Sequence, residues 1–113
     1  MAEEEGIYNQ VCFHSHQCAE KSLKAFIARG GKYFSKTHSL TELALICAKS
    51  DKSFSKYVIP VKSLDRYYIP TRYPDAILGS LKDGMPNRKD AEEALETASE
   101  VYVFVKSKIR PES

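Results

Sequence analysis

Two long stretches of this chain carry apolar residues at the spacing of an α-helix, and no stretch alternates as a β-strand does. Between residues 4 and 28, eight residues fall on one side of a helical wheel: Tyr8, Val11, Cys12, Cys18, Ala19, Ser22, Leu23 and Phe26. A second stripe is formed by Ala91, Ala94, Leu95, Ala98, Val101, Tyr102, Val105 and Ile109, in a helix expected from about Arg88 to Ile109. Because each helix has one apolar side, the two must pack side by side. The pattern predicts an all-α fold.

A shorter helix is expected soon after the first. The double glycine at 30–31 ends the first helix, since glycine adopts the left-handed cap without steric cost. Thr37 or Ser39 then opens a second helix that runs to about Ser50. Ser39 and Glu42 have the spacing of a capping box, in which each side chain covers a backbone amide at the helix start.

A third helical piece is expected in two halves, 53–57 and 61–68, with Pro60 in a break or at the first turn of the second half. From 69 to 87, prolines and glycines interrupt the periodicity, which predicts a long loop, and long loops in compact domains are often functional. The sequence therefore predicts an up-and-down bundle of about four helices, two long and two short, in one domain spanning 1–113.

Composition limits the class of protein. The 113 residues are 42% hydrophobic and 28% charged, which is typical of a globular domain, and no apolar run approaches the roughly 18–20 residues of a membrane span. The chain begins with acidic residues rather than a basic leader. Its three cysteines contain no Cys-x-x-Cys pair, which favours a reduced, cytoplasmic protein over a disulfide framework. A net charge of +2 is too small to indicate nucleic-acid binding by itself.

The first helix carries a polar face opposite its apolar side, formed by His14, Gln17, Lys21 and Lys24. Such a face could hold a phosphate by its lysines and a base or ribose by histidine and glutamine; the alternative is a solvated surface. His16 and Glu20 form an i,i+4 pair nearer the apolar boundary. No metal site is expected from His14, His16 and Cys18. Each of these residues is two positions from the next, so on a helix their side chains point roughly 160° apart and cannot share one ion.

The segment 64–75 concentrates arginine and aromatic side chains between prolines, namely Arg66, Tyr67, Tyr68, Arg72 and Tyr73, followed by Asp75. Tyrosine rings stack on bases, and arginine grips phosphate at two points. We expect the segment to fold over the lysine-bearing side of the first helix and form a cationic, aromatic-walled hollow. In the alternative interpretation the tyrosines close the end of the bundle, while Arg66 and Arg72 pair with Asp65 and Asp75.

Other motifs carry less chemistry. His38 is expected in the first turn of the second helix, where a neutral histidine more often caps or packs than catalyses. The chain has no Gly-rich phosphate loop, Gly-x-Ser-x-Gly elbow or His-Glu-x-x-His pair. Hydrolases of the serine and zinc types therefore have no support.

Taken in order, these blocks resemble the HEPN domain family. The resemblance rests on CFHSHQCAEKSLKAFI, the double glycine, KTHSLTEL, LDRYYIPTRYPD and the Ala/Glu-rich last helix, and it covers the chain from about Tyr8 to Ile109. Positions of this chain that match the family pattern are His14, Gln17, Glu20, Lys21, Lys24, Thr37, His38, Tyr68, Pro70, Arg72, Tyr73 and Asp75.

The resemblance implies a helical bundle that forms a homodimer and works on nucleotides or RNA. Many members pair with a small nucleotidyltransferase of the MNT type as a toxin–antitoxin system, and others are metal-independent ribonucleases. Those ribonucleases carry Arg, four to six residues, then His in a late helix. Here five residues lie between Arg66 and Arg72, but the second position is arginine in place of histidine, and arginine stays protonated and cannot act as a base near neutral pH. Relatives also have more helix before the first block, so we expect either a shortened first helix or a truncated reading frame.

The sequence therefore predicts a nucleotide- or RNA-binding HEPN module, with no cofactor and no indication of DNA or membrane binding. Phosphate would contact Lys21 and Arg72, and the ring or hydroxyl of Tyr68 and Tyr73 would complete the site with His14, Gln17 and Lys24. Secondary candidates are His16, Glu20, His38, Arg66 and Asp75. Two alternatives stay open: a ribonuclease that uses His14, His16 or His38, and a module that only binds another protein. Tyr73 is the expected acceptor if a nucleotidyltransferase modifies the chain.

Overall fold

The computed structural model describes residues 2–30, 36–67 and 86–109. Four α-helices account for most of these residues: α1 (Ala2–Arg29), α2 (Leu40–Ser50), α3 (Ser55–Asp65) and α4 (Arg88–Ile109). A short 3-10 turn, Lys52–Phe54, leads into α3. Within the described ranges there is no β-strand, so the all-α prediction, with two long and two short helices, is confirmed. None of these helices is long and apolar enough to cross a membrane.

The ends of α1 and α2 follow from local sequence signals. The amide of Gly30 donates to the carbonyl of Phe26 at 3.2 Å and closes the last turn of α1. Ser39 is the N-cap of α2, and its hydroxyl accepts from the amide of Glu42 at 3.2 Å. The reciprocal half of the expected capping box is wrong, because the amide of Ser39 donates instead to Thr37 Oγ1 at 3.0 Å. His38 consequently lies just before the cap, outside the first turn where it was expected.

The expected break at Pro60 is also wrong, because α3 runs through this residue without interruption. Proline removes one backbone hydrogen bond from a helix interior. The packing of α3 accounts for its continuity: Val61 and Leu64 are fully buried, and Tyr57 and Val58 pack against the same core. Burial of such side chains contributes about 1.5–3 kcal/mol each, which is enough to offset the local cost of one proline.

The two long helices lie side by side and run in the same direction. Small residues on both helices permit close contact, namely Ser15 and Ala19 on α1 and Ala91, Ala94 and Ala98 on α4, all of them buried. The ends of α1 and α4 meet around Phe54, whose ring lies 4.5 Å from Phe26 and 5.0 Å from Phe104. The contact confirms that the apolar sides of the long helices face each other.

Three side chains differ from the periodicity-based assignment. Leu95 and Tyr102 were expected in the buried stripe of α4, yet they are 55% and 49% exposed, because α1 covers only the centre of that stripe. His16 was expected near the boundary of α1 and is fully buried. Tyr102 and His16 lie on the two flanks of the α1–α4 pair, where the candidate sites are found.

Candidate functional site

Helix α1 presents a polar face on each side of its buried stripe. One face lines a groove against the second half of α4. This groove has a volume of about 550 Å³ and is lined by His14, Gln17, Cys18, Lys21, Ser22, Ala25, Tyr102, Val105, Lys106 and Ile109. The other face meets the start of α2 and the end of α3 in a polar cluster made of His16, Glu20, Lys24, His38 and Asp65.

The groove combines apolar walls with a few polar groups, which is the usual composition of a small-molecule site. Its volume lies within the range of roughly 300–1,000 Å³ that such sites occupy. His14 and Gln17 form a hydrogen bond across one turn of α1, with 3.3 Å between Nδ1 and Oε1. Half of the Tyr102 side chain is exposed, so its ring can form part of the wall that a ligand would touch.

The described residues that line the groove include two lysines. Lys21 stands on the α1 wall and Lys106 on the α4 wall, and both residues are exposed. Among the described residues that line the groove, none carries a carboxylate. An anionic group seated between the two walls would therefore meet cations from both helices.

The polar cluster, by contrast, encloses its charges. The imidazole of His16 is fully buried, with Nδ1 3.8 Å from Glu20 Oε1 and Nε2 3.5 Å from Asp65 Oδ1. Burial lowers the pKa of His16 below its usual 6.5, although both carboxylates and a backbone contact with His38 act in the opposite direction. At neutral pH His16 is therefore an uncharged side chain between two acids.

Glu20 is the centre of the cluster. Its Oε2 accepts from Lys24 Nζ at 2.8 Å and lies 2.7 Å from Nδ1 of His38. Burial alone would raise the pKa of Glu20, but the hydrogen bonds and charges of Lys24 and His38 outweigh it and lower the pKa. Glu20 thus stays ionised, and it fixes the chain just before α2 to the middle of α1.

Asp65 joins α3 to the first turn of α2. Its Oδ1 accepts from the amide of Leu40 at 2.7 Å, and its Oδ2 accepts from the amide and hydroxyl of Thr41 at 3.2 and 3.0 Å. The hydroxyl of Ser39 donates to the same Oδ2 at 3.3 Å. The last residue of one helix therefore satisfies backbone donors that a helix N-terminus otherwise leaves without partners.

The structure divides the residues expected on one face of α1. His14, Gln17 and Lys21 come together in the groove. Lys24, which was expected beside Lys21, is drawn to Glu20 in the polar cluster together with His16 and His38. The division follows from side-chain reach, because Lys24 lies one turn after Glu20 and the two ions pair at i,i+4.

The Tyr/Arg segment is described only at its beginning. The guanidinium of Arg66 donates to the Tyr67 hydroxyl at 2.7 Å, lies over the Tyr67 ring, and pairs with Asp90 at 3.4 Å. Arg66 thus pairs with α4, not with its neighbour Asp65. Tyr67 is buried, as the alternative interpretation expected. Four other candidates, Tyr68, Arg72, Tyr73 and Asp75, lie outside the described residues, and so does the expected contact of this segment with the lysine-bearing face.

Three residues of these sites were missed by sequence reasoning. Tyr102 and Lys106 lie one turn apart on the flank of α4, and Asp65 was considered only as a partner of an arginine. The signal for Tyr102 was its position at the edge of a stripe whose centre is filled by alanine and valine. Among the described residues, no three histidine, cysteine or acidic side chains are arranged to hold a metal ion.

Comparisons with known proteins agree with this architecture. The HEPN domain family profile matches residues 1–108. A protein of Methanocaldococcus jannaschii named "Putative toxin MJ1304" is 28% identical over 109 residues, an alignment that covers 88% of this chain and 70% of that relative. No solved structure matches the chain significantly.

Proposed function

The chain belongs to the HEPN domain family, and from this premise we propose that it is the HEPN component of a toxin–antitoxin-type pair and binds a nucleotide or RNA. The family match supports the first part over nearly the whole chain, and the name of the similar Methanocaldococcus jannaschii protein supports the role of a toxin. The proposal includes a cytoplasmic setting, which agrees with the three free cysteines.

The observation that carries ligand binding is the groove between α1 and α4. Lys21 and Lys106 offer ammonium groups from opposite walls, as two contacts to phosphate require. The half-exposed ring of Tyr102 offers a stacking surface for a base. His14 and Gln17 supply donors and acceptors for the edge of a base or for a ribose hydroxyl.

The proposal keeps Tyr68, Arg72 and Tyr73 as further ligand contacts supplied by the segment that follows Arg66. It omits Lys24, because the ammonium group of Lys24 is engaged by Glu20. Binding of phosphate at Lys24 would require that ion pair to break.

Calorimetry with ATP, AMP and a short single-stranded RNA tests ligand binding. We expect the double variant Lys21→Ala/Lys106→Ala to bind at least about tenfold more weakly than the wild type, because charge-assisted contacts contribute about 1.5–3 kcal/mol each. The matched control is Lys49→Ala/Lys62→Ala, which removes two exposed lysines from α2 and α3.

Equal affinities of the double variant and the wild type would remove the groove assignment. Equal affinities of Arg72→Ala and the wild type would contradict only the ligand contacts proposed for the segment after Arg66, and the groove assignment would stand. Absence of heat with every ligand, together with capture of a protein partner, would instead favour a module that only binds proteins.

We further propose that the chain forms a homodimer and pairs with an MNT-type nucleotidyltransferase. Two exposed apolar side chains outside the groove lining, Ile7 on α1 and Leu95 on α4, support a protein contact there. Sedimentation at micromolar concentration should give a dimer for the wild type and a monomer for Leu95→Glu. A stable wild-type monomer contradicts the dimer, and failure of a co-expressed nucleotidyltransferase to co-purify contradicts the pair.

A metal-independent ribonuclease is the second candidate, and the contact between Glu20 and His38 favours it. A carboxylate 2.7 Å from Nδ1 orients an imidazole and supports its use as a general base, and His38 is about half exposed. A cleavage assay in EDTA should then show activity that His38→Asn abolishes and His14→Asn retains. Absence of cleavage by the wild type at high concentration ends this candidate.

A further inference from the structure

We propose that the outer face of α4, opposite its buried stripe, is a docking surface for another protein. The segment that binds there carries an apolar side chain between lysine or arginine residues. The inference does not depend on the ligand proposed for the groove. It rests on an apolar hollow and on the charges that border it.

The hollow lies between α3 and the outer face of α4 and has a volume of about 470 Å³. It is lined by Tyr57, Ser99, Glu100, Val103, Phe104 and Ser107, none of which is among the described residues of the groove. Val103 is 63% exposed. The rings of Tyr57 and Phe104, 5.0 Å apart and partly buried, form the wall beside it. An apolar side chain laid in this hollow would remove apolar surface of both partners from water.

Acidic side chains border the hollow on α4. Glu100 lines it, and burial together with the charge of Glu100 raises the pKa of the Tyr57 hydroxyl. Glu93, Glu96 and Glu100 are exposed, and within 2–30, 36–67 and 86–109 none of them forms an ion pair. Like charges three or four residues apart on a helix repel each other. A cationic partner would relieve this repulsion.

One cation of the chain lies over the aromatic wall. Nζ of Lys56 is 4.7 Å from the centre of the Phe104 ring and 5.4 Å from that of Tyr57. Lys108 also lies over the Phe104 ring, but it pairs with Asp51 at 2.9 Å. Lys56 alone does not balance three glutamates, so the border of the hollow stays negative. Cations of the partner are therefore expected beside the glutamates, not over the rings.

These charges favour a protein that differs from this chain. The glutamates repel the phosphates of RNA. A second copy offers Lys21 and Lys106, but the groove of one copy would then meet the outer face of the next. Such a head-to-tail contact does not form a closed dimer and leads to rings or filaments. A separate protein with a basic surface avoids both problems.

Fluorescence anisotropy with a labelled amphipathic helical peptide of leucine and lysine tests the surface. We expect the wild type to bind this peptide with an affinity that falls as the salt concentration rises. A leucine–glutamate peptide lacks the cations, and a serine–lysine peptide lacks the apolar anchor. Both should bind at least about tenfold more weakly.

Two matched pairs of variants locate the binding. Glu100→Lys should weaken binding of the leucine–lysine peptide at least about tenfold, whereas Glu42→Lys, the same change at an exposed acid of α2, should stay within about twofold. Val103→Ser should weaken binding at least about threefold. Ile59→Ser, at a residue of α3 that is 75% exposed and outside the hollow, should bind as the wild type does.

Equal affinities within either pair overturn the proposal, because binding would then follow net charge or general hydrophobicity. Equal binding of the leucine–glutamate peptide overturns it as well. A wild-type species larger than a dimer, abolished by Glu100→Lys in sedimentation, would assign the surface to a second copy and overturn the separate partner. The groove variant Lys21→Ala/Lys106→Ala should bind the peptide at least as well as the wild type, and a loss there would place the peptide in the groove instead.

Discussion

The two polar faces of α1 use similar residues in opposite ways. In the groove, Lys21 and Lys106 are exposed and no acid among the described lining residues neutralises them. In the polar cluster, two acids engage Lys24 and two histidines, and a carboxylate is committed to the start of α2. Charge that is left open is available to a ligand, and charge that is enclosed stabilises the fold. Residue type and helical spacing alone therefore do not separate a binding face from a structural one.

The largest effect should come from the enclosed side. Asp65→Ala is expected to lower the free energy of unfolding by about 3 kcal/mol, because it leaves donors of Ser39, Leu40 and Thr41 without their acceptor beside a buried histidine. Urea denaturation followed by circular dichroism measures the loss.

Glu42→Ala is the matched control for this prediction, since Glu42 is an exposed acid in the first turn of α2, the turn that Asp65 contacts. Its effect should stay within about 0.5 kcal/mol, as for surface substitutions in general. An equal loss for the two variants would mean that Asp65 contributes only its charge near a helix start.

Lys24 in the polar cluster and Lys21 in the groove form a matched pair of lysines on the two faces of α1. Lys24→Ala should cost about 0.5–1 kcal/mol of stability, because it removes the ion pair with the mostly buried Glu20. Lys21→Ala changes the same residue type one turn earlier and should cost less than about 0.3 kcal/mol. Ligand binding should respond in the reverse order, with weaker affinity for Lys21→Ala alone. Equal responses of the two variants in both measurements would erase the distinction between the faces.

The smallest effect should be the dependence of stability on pH. The pKa of His16 is lowered in the folded chain, so the unfolded chain binds the proton more readily and stability falls as the pH drops below 6.5. The lowered pKa of Glu20 adds a loss of the same sign below about 4.5. Asp51, whose pKa is held at about 2 by Ser53 and Lys108, adds its loss only at still lower pH.

Urea midpoints at pH 8, 6.5 and 5 check this profile. His16→Gln should flatten the dependence of the urea midpoint on pH between pH 8 and 5. A wild-type midpoint that rises on acidification would contradict the sign.

The helices could be predicted because their signals are local. Apolar spacing located α1 and α4, and the hydroxyl of Ser39 marked the start of α2. The break predicted at Pro60 was wrong because the hydrogen bond that proline removes is a local effect. The burial of Val61 and Leu64, which stabilises α3, depends on the rest of the bundle. The burial predicted for Leu95 and Tyr102 was wrong for a related reason, since periodicity does not show how wide a strip the neighbouring helix covers.

Only part of the candidate site could be predicted from the sequence. His14, Gln17 and Lys21 share a face by spacing, and the groove contains them. The polar cluster depends on contacts between residues distant in sequence, such as His16 with Asp65 and Glu20 with His38, which helical periodicity does not reveal. One signal existed for His16: it lies one turn after Cys12 and two turns before Leu23, both of which are fully buried.

Residues of the groove and of the polar cluster alternate along α1. The rotation of each turn of α1 about the helix axis is therefore constrained by both sites. Insertion of one residue between Lys21 and Ser22 would rotate everything after it by about 100° relative to everything before it. Leu23 would leave the core, and Lys24 would lose its register with Glu20. Insertion of seven residues, nearly two complete turns, would retain both faces. Natural length variation in this helix should therefore occur in steps close to whole turns.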